Sequence, residues 1–337
     1  MSVFDFPQLW ERPPFEALLA CLESLELKPR VWNPRGSRNV VADDQEATFA
    51  DKREEAIYLS SIVKSGLEWI ADDDKETLWD LASRRMSERS GRAGMGTMTR
   101  SWPFDTLPNP FTLTINEPAI TGDSLGFKTW GSSHLLALHL PLLASTSLFR
   151  LFDESLGEPR PRILELGSGT GLLGLAAAAT WGVHVTMSDL PAIVPNLAAN
   201  AEANEKVLRE RGASVDVGTL TWGSSDEGVD ERLFGTPNQF KIVLAADPIY
   251  DDDHPVLLHD AISKQLSLGT DARAVVMVPK RDAVTLTLID SFLALMATGE
   301  APMDCLEHGE LRGQDDWAAD EDEEVKCWWG VFGRRKL

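Results

Sequence analysis

The sequence predicts an α/β fold with a doubly wound, seven-stranded, mostly parallel sheet and a smaller, mainly helical N-terminal region. From about residue 160 onward, short apolar segments alternate with helical ones, which is typical of parallel strands joined by crossover helices. Five such segments are predicted as strands, at 162–166, 183–188, 214–220, 241–246 and 273–279. Two later segments, 303–308 and 325–332, are predicted to form a final antiparallel pair around the acidic loop 315–324.

Apolar spacing predicts the helices between these strands. From Leu172 to Ala179, apolar residues recur at the i, i+3, i+4 and i+7 positions that line one helix face. Pro191 suits the first turn of the next helix, and a further helix is predicted near 282–298.

The boundary between the two regions is predicted near residue 110, which gives an N-terminal region of 1–109 and a larger domain of 110–337. The first region ends in the Arg-rich stretch 84–100 and a linker broken by prolines, 103–110. The Arg-rich stretch either docks a protein substrate or pairs with acidic groups of the same molecule.

The larger domain is predicted to open with an extended hairpin. Segments 111–120 and 125–130 have strand character and are separated by four turn-forming residues. A helix should follow from about Ser132.

The charge balance restricts the partners. The chain has 53 acidic and 32 basic side chains, a net charge of −21 at pH 7. Because the average field repels phosphate groups, a nucleic-acid partner is disfavoured. An acidic surface favours a basic protein segment, although a high net charge also serves solubility alone.

Cysteine usage and targeting signals indicate the compartment. Cys21, Cys305 and Cys327 are odd in number and lack the spacing of a metal site, so neither a disulfide framework nor a bound metal is expected. The N-terminus lacks a signal-peptide pattern, and no stretch approaches the roughly 18 apolar residues of a membrane span. A cytoplasmic location is therefore expected.

A glycine-rich loop follows the first strand of the repeating pattern. The segment 165–171 reads Glu-Leu-Gly-Ser-Gly-Thr-Gly and leads into a predicted helix. Glycines at Gly167, Gly169 and Gly171 allow a tight turn and a close approach of the backbone to a ligand. The position predicts a cofactor loop.

A dinucleotide site is the alternative for this loop. Gly169, Gly171 and Gly174 form a Gly-x-Gly-x-x-Gly pattern, but its register is shifted from the end of the strand, where such a fingerprint should begin. When Gly167 is counted first, Leu172 occupies the position of the required third glycine.

Asp189 ends the second predicted strand, 18 residues after Gly171. An α/β nucleoside site places a carboxylate there to accept hydrogen bonds from ribose hydroxyls. Capping of a helix ahead of Pro191 is the alternative role.

A polar motif ends the fourth predicted strand. Asp247, Pro248, Ile249 and Tyr250 follow a buried segment, beside the crevice in which open α/β sheets bind their ligands. Site chemistry is expected at this position.

On these motifs the sequence resembles the seven-strand protein-lysine methyltransferases, which carry Asp-x-x-Tyr after the fourth strand and Glu-Leu-Gly-x-Gly-x-Gly before it. The resemblance implies a Rossmann-like methyltransferase domain, S-adenosyl-L-methionine as cofactor and a protein substrate, with Asp247 and Tyr250 as the catalytic residues. The implied cofactor-binding residues are Trp130, Glu165, Gly167, Ser168, Gly169, Gly171, Asp189, Trp222 and Ala246.

Segments 78–100, 313–317 and 325–329 resemble, more narrowly, the fungal members that methylate translation elongation factor 2. This resemblance implies a lysine of that factor as the substrate. Pro248 brings the motif close to the Asp/Asn-Pro-Pro-Tyr motif of enzymes that methylate nucleic-acid amines, so another protein or a nucleic-acid amine remains an alternative acceptor. A non-catalytic, cofactor-binding scaffold is the alternative from another class.

The implied reaction gives a separate role to each of the two motif residues, Asp247 and Tyr250. A lysine with a pKa near 10.4 is protonated in neutral water, so it must be desolvated and oriented before it can accept a methyl group. Asp247 would accept a hydrogen bond from the amine, and Tyr250 would form a wall of the channel. His134, His139 and His254, the last placed in a loop, are expected to be structural.

Overall fold

A computed structural model of the chain describes residues 6–26, 49–89, 96–107, 109–119, 125–157, 159–223, 228–314 and 324–335. The helices of these residues are α1 Phe15–Ser24, α2 Phe49–Lys64, α3 Asp72–Glu88, α4 Gly131–Ser145, α5 Phe149–Phe152, α6 Leu172–Trp181, α7 Val194–Ala203, α8 Glu205–Glu210, α9 Glu231–Phe234, α10 His254–Gln265 and α11 Ala283–Thr298. The strands are β1 Met98–Pro103, β2 Thr112–Glu117, β3 Ile163–Leu166, β4 His184–Asp189, β5 Ser214–Thr219, β6 Ile242–Ala246, β7 Arg273–Pro279, β8 Met303–Gln314 and β9 Glu324–Arg334.

Seven strands form one sheet in the order β5-β4-β3-β6-β7-β9-β8. The first five of these run parallel, whereas β9 is antiparallel to both β7 and β8. The predicted parallel sheet with a final antiparallel pair is confirmed. The chain runs outward from β3 to β4 and β5 and then crosses to β6 and β7, so the strand order reverses between β3 and β6. Open α/β sheets bind ligands at such a reversal, beyond the carboxyl ends of the strands.

Helices cover both faces of this sheet, as in a doubly wound fold. Leu164 and Leu166 of β3 share a buried core with apolar residues of α10 and α11. Glu165 lies between them and therefore points to the opposite face, where its carboxylate accepts a hydrogen bond from the Gly174 N–H of α6 at 3.1 Å.

The predicted hairpin of 111–120 with 125–130 is wrong. Strand β2 pairs with β1 in a separate two-stranded sheet, and residues 125–127 form a short 3₁₀ turn. The pattern of β1 is hard to recognise because Arg100 occupies an inward position, where it lies 3.5 Å from the equally buried Glu117. An inward arginine interrupts the apolar alternation that indicates a strand.

By internal contacts the chain divides into two units, 1–98 with 119–121 and 99–118 with 122–337. In the first unit, α1, α2 and α3 share an apolar core that includes Leu18, Leu59 and Leu78. The helical character predicted for this part of the chain is therefore present in its described residues.

Two of the described arginines in 84–100 pair within the first unit. Arg85 is buried and donates to the Leu22 carbonyl at 2.9 Å, and Arg89 donates to Glu55 at 2.8 Å. Arg84 is exposed, and residues 90–95 lie outside the described ranges. For Arg85 and Arg89 the structure therefore favours pairing within the molecule over substrate docking.

Three smaller predictions have different outcomes. Helix α7 begins at Val194, so Pro191 precedes it, and His254 is the first residue of α10 and not part of a loop. Most of the predicted acidic loop, 315–323, lies outside the described ranges.

None of the helices in the described ranges is long and apolar enough to cross a membrane.

Candidate active site

The glycine loop occupies the five positions between β3 and α6. Gly167, Gly169 and Gly171 have φ angles of 64°, 56° and 89°, in the left-handed region that strains other residues. A Cβ atom on Gly169 would lie 3.2 Å from the Gly126 carbonyl oxygen. The loop therefore turns tightly against a neighbouring segment, and its close backbone approach depends on glycine.

Hydrogen bonds from several elements hold this loop in place. The Ser168 N–H donates to the Ser188 carbonyl of β4 at 2.9 Å, and the Ser188 N–H donates back to the Ser168 hydroxyl at 3.1 Å. From α7, the Asn200 amide donates to the Thr170 carbonyl at 2.9 Å. The Thr129 and Thr170 hydroxyls lie 2.8 Å apart. The loop is thus fixed to β4, to α7 and to the segment before α4.

Asp189 ends β4 beside the loop. Its Oδ2 accepts a hydrogen bond from the Gly169 N–H at 2.6 Å, and its Oδ1 accepts one from the Leu190 N–H at 2.7 Å. Burial raises the pKa of this carboxyl, whereas the two N–H donors oppose the shift. Since α7 begins five residues later, this carboxylate faces the loop and does not cap the helix.

Glu165 is buried beneath the loop, with 2% of its surface exposed. Burial raises its pKa to about 8, and the charge of Asp189 adds to the shift, against opposing hydrogen bonds from Ser168 and Gly174. A Cβ atom on Gly174 would lie 2.5 Å from the Glu165 Oε2 atom. Gly174 therefore allows α6 to pack closely on β3, while the loop itself begins at Gly167, directly after the strand.

Asp247 directly follows β6, and Arg281 lies two residues beyond the end of the neighbouring β7. The Arg281 Nη1 and Nη2 atoms donate to Asp247 Oδ1 at 3.0 Å and Oδ2 at 2.5 Å, which is a bidentate ion pair. Only 4% of the Asp247 side chain is exposed. Asp247 also has a left-handed φ of 56°, an uncommon backbone conformation that tends to occur at functional sites.

Trp130, the residue before α4, lies against two cations. The Arg281 guanidinium carbon is 4.7 Å from the Trp130 ring centroid, and the Lys128 Nζ atom is 4.3 Å from it. Arg281 therefore links this indole with the Asp247 carboxylate. Ala246, the last residue of β6, immediately precedes Asp247 and is partly exposed.

His254 lies between Tyr250 and Trp222. Its ring is 4.3 Å from the Tyr250 ring in an edge-on arrangement and 6.4 Å from the Trp222 ring. Trp222 in turn lies over the loop, because a Cβ atom on Gly167 would be 3.4 Å from its Cζ2 atom. Burial lowers the pKa of His254, which favours the neutral imidazole. Its Nδ1 atom accepts from the Tyr250 N–H at 3.4 Å.

Tyr250 is 58% exposed and lies near charged residues of both motifs. Partial desolvation and the charges of Asp189, Asp247 and Asp251 raise the pKa of its phenol. The hydroxyl is therefore protonated at neutral pH, and the ring stands at an open edge of the site.

Sequence reasoning missed Arg281, Lys128 and the position of His254. Arg281 could have been found, because it follows the predicted strand 273–279, whose carboxyl end shares an edge with that of 241–246. Lys128 gave no such signal, since a lysine in a loop is usually solvated, whereas this one is 1% exposed.

The sequence is similar to those of known lysine methyltransferases. A family model described as lysine methyltransferase matches residues 109–292. Protein-lysine N-methyltransferase EFM2 of Saccharomyces cerevisiae is 31% identical over 256 residues, which cover 73% of this chain and 57% of that protein. Protein-lysine N-methyltransferase rrg1 of Schizosaccharomyces pombe is 30% identical over 251 residues, 73% of each chain.

A shorter match is to EEF1A lysine methyltransferase 3 of Mus musculus, 35% identical over 98 residues, which cover 29% of this chain and 37% of that protein. The chain thus spans a little over half the length of the Saccharomyces relative and nearly three quarters of the Schizosaccharomyces one. By the family match and these identities, the chain belongs to the lysine methyltransferase family, whose cofactor is S-adenosylmethionine.

Proposed function

We propose that this protein transfers a methyl group from S-adenosylmethionine to a lysine side chain of translation elongation factor 2. The observation that carries the proposal is the meeting of two motifs at one edge of the sheet. The glycine loop with Asp189 follows β3 and β4, and the Asp247–Tyr250 motif follows the adjacent β6. Because β3 and β6 are adjacent and parallel, the segments that follow them lie at the same edge of the sheet, which supports one site built from both motifs.

The residues of the loop fit a nucleoside cofactor. Gly167 and Gly169 allow the tight turn with which the loop can approach a ligand closely, and Trp222 supplies an aromatic face beside Gly167. Each carboxylate oxygen of Asp189 accepts one hydrogen bond from the backbone and has a further lone pair for a ribose hydroxyl. Trp130, Glu165, Ser168, Gly171 and Ala246 complete the proposed cofactor-binding set.

S-adenosylmethionine, when bound, supplies a methyl group that passes to the lysine nitrogen while the sulfur keeps the electron pair of the broken bond. The protein must present the lysine as a neutral amine, and the proton lost beforehand goes to water. Asp247 accepts a hydrogen bond from this amine and orients it. Tyr250, with its ring at the open edge, forms the wall of the channel and stabilises the resulting methylammonium by cation–π attraction.

Elongation factor 2 is proposed as the substrate from the sequence resemblance in segments 78–100, 313–317 and 325–329. The relative named as an EEF1A lysine methyltransferase supports a translation factor as the class of acceptor. A nucleic-acid acceptor loses support because Arg85, Arg89 and Arg100 of the basic stretch pair with acidic groups or backbone carbonyls. The N-terminal region is proposed to help select the protein substrate. A cytoplasmic location is predicted from the sequence.

Labelled S-adenosylmethionine and a lysate from cells that lack the enzyme test this proposal. The purified protein should label one band at the mass of elongation factor 2, and mass spectrometry should place the methyl group on a lysine. Nuclease treatment of the lysate should leave the label unchanged. Label on another protein would refute the substrate, and label that disappears with nuclease would refute protein methylation.

A further inference from the structure

Arg281 contacts both Asp247, the proposed catalytic carboxylate, and Trp130, a proposed cofactor-binding residue. Its guanidinium forms the bidentate pair with Asp247, at 3.0 and 2.5 Å, and lies 4.7 Å from the Trp130 ring centroid. Only 4% of the Asp247 side chain and 26% of the Arg281 side chain are exposed. A pair with this geometry and burial is held much more firmly than an ion pair on the surface.

The pair changes what Asp247 offers to a lysine. An isolated carboxylate would stabilise the ammonium form, which has no lone pair and cannot accept a methyl group. A carboxylate paired with a guanidinium has no net charge as a unit, and a carboxylate oxygen can accept more than one hydrogen bond. The pair can therefore orient the amine without favouring its protonation.

We propose that Arg281 is a positioning residue for methyl transfer, which holds Asp247 in a neutral pair so that the acceptor lysine enters the site as a free amine. This inference rests on the proposed methyltransferase function. Arg281 has no direct role at the transferred methyl group or at the lysine nitrogen. It acts through the orientation and charge of Asp247, and its contact with Trp130 fixes the guanidinium plane.

Other charged and titratable groups face the same site from neighbouring elements. Lys128 lies beside Trp130, and Asp189 at the end of β4 and Asp251 after the motif act on the Tyr250 phenol. His254 of α10 contacts Tyr250 and is favoured in its neutral form. These groups are unchanged in the Arg281 variants, so a difference from the wild type reports on position 281.

The test measures the pH dependence of single-turnover methylation for the wild type and Arg281→Gln, with the acceptor protein labelled in the lysate experiment. Loss of the guanidinium leaves the Asp247 charge unopposed and raises the pKa of the bound lysine. We expect the acidic limb of the profile to move up by about one pH unit, with a rate about tenfold lower near neutral pH. The rate should approach that of the wild type at alkaline pH, which a merely structural defect would not restore.

Proton release provides a readout without turnover. Acceptor binding to the enzyme saturated with S-adenosylhomocysteine is measured calorimetrically in two buffers of different ionisation enthalpy. The wild type should release about one proton as the lysine deprotonates, and Arg281→Gln should release fewer. The matched control is Lys280→Gln, which removes a neighbouring cation that pairs with Glu310. Its profile and proton release should equal those of the wild type.

Each result separates the inference from the function on which it rests. An unshifted profile with normal proton release in a folded Arg281→Gln variant would overturn the role of Arg281, as would an equal shift in Lys280→Gln. If Arg281→Gln does not fold, Arg281→Lys is tested instead. Lysine keeps the positive charge but loses the bidentate geometry of the guanidinium, so the acidic limb of the pH profile should not shift and the rate should fall severalfold. A wild-type rate in that variant overturns the inference. A wild type that methylates nothing at any pH overturns the proposed function as well.

Discussion

Individual residues of the site combine strained backbone with buried carboxyl groups. Three glycines and Asp247 adopt left-handed φ angles at the carboxyl edge of the sheet, and Asp247 and Glu165 are buried there. Such positions destabilise a fold unless the surrounding contacts enforce them, which is why they concentrate where a ligand must be approached closely. Their substitution is expected to affect binding and catalysis more than stability.

Gly169→Val should abolish cofactor binding, because the new side chain would occupy the space against the Gly126 carbonyl and strain the loop. Gly212→Val is the matched control, since Gly212 has a similar φ of 67° but a Cβ atom there would meet no other atom within 4 Å. Both variants should lose about 1–2 kcal/mol of stability from backbone strain. Titration calorimetry with S-adenosylhomocysteine should show lost affinity only in the loop variant, and equal affinities would refute the proposed loop.

Asp247→Ala should lower turnover more than Tyr250→Phe does. Loss of the carboxylate should lower the single-turnover rate by at least about a hundredfold, because the amine is no longer oriented. Tyr250→Phe retains the ring and should lower the rate only about tenfold. Asp247→Asn is included because it keeps a hydrogen-bond acceptor for Arg281. Rates are normalised to the folded fraction from circular dichroism, and a wild-type rate in Asp247→Ala would place the active site elsewhere.

At the scale of elements, α7 holds β2 in place through a ladder of asparagines. Asn196, Asn200 and Asn204 are spaced four residues apart and so share one helix face. The Asn204 side chain accepts from the Thr114 N–H at 2.8 Å and donates to the Thr114 carbonyl at 2.7 Å. Asn200 makes the same pair of bonds with Asn116, at 2.8 and 3.0 Å. The side-chain amides thus replace the backbone of a neighbouring strand.

Asn200→Ala and Asn204→Ala should separate stability from cofactor binding. Each change removes the side-chain acceptor of a β2 backbone N–H, that of Asn116 or of Thr114, and should lower the free energy of unfolding by about 1–3 kcal/mol. Only Asn200 also donates to the Thr170 carbonyl of the glycine loop, at 2.9 Å. Urea denaturation should therefore show similar losses, while calorimetry should show weaker S-adenosylhomocysteine binding in Asn200→Ala alone. Equal affinities in the two variants would contradict a link from α7 to the loop.

At the scale of the whole molecule, a buried carboxyl makes the stability depend on pH. Glu165 has a pKa of about 8 in the folded protein, above the ordinary value of 4.5 that applies to the unfolded chain. Between these pH values the folded state binds a proton that the unfolded state has lost. The free energy of unfolding should therefore fall as pH rises through this range.

Glu165→Gln should remove this contribution, because glutamine does not titrate and still offers an oxygen to the Gly174 N–H. We expect the difference in unfolding free energy between variant and wild type to move in favour of the variant from about pH 4.5 to about pH 8. Denaturant titrations at a series of pH values measure it. A constant difference across the range would contradict a protonated Glu165 in the folded protein.

The sequence alone determined the strand segments of the parallel sheet, its final antiparallel pair and the two motifs of the site. Hydrophobic periodicity is a local property, and glycines after a strand indicate a tight turn by their own conformational freedom. Both can therefore be recognised without knowledge of distant contacts. The parallel arrangement then places the ends of 162–166 and 241–246 at one edge. The family resemblance came from the same motifs, and the family match confirms it.

Only the tertiary structure decided which side chains complete that edge. Arg281 and Asp247 are 34 positions apart and meet because β6 and β7 are neighbours, whereas periodicity says nothing about which side chain a charged residue will contact. The pairing of β1 with β2 was hidden for the same reason. Arg100 occupies an inward position, where it lies 3.5 Å from Glu117 of another strand. A buried charge depends on a distant partner for its stability, and that partner is set by packing, not by the local pattern.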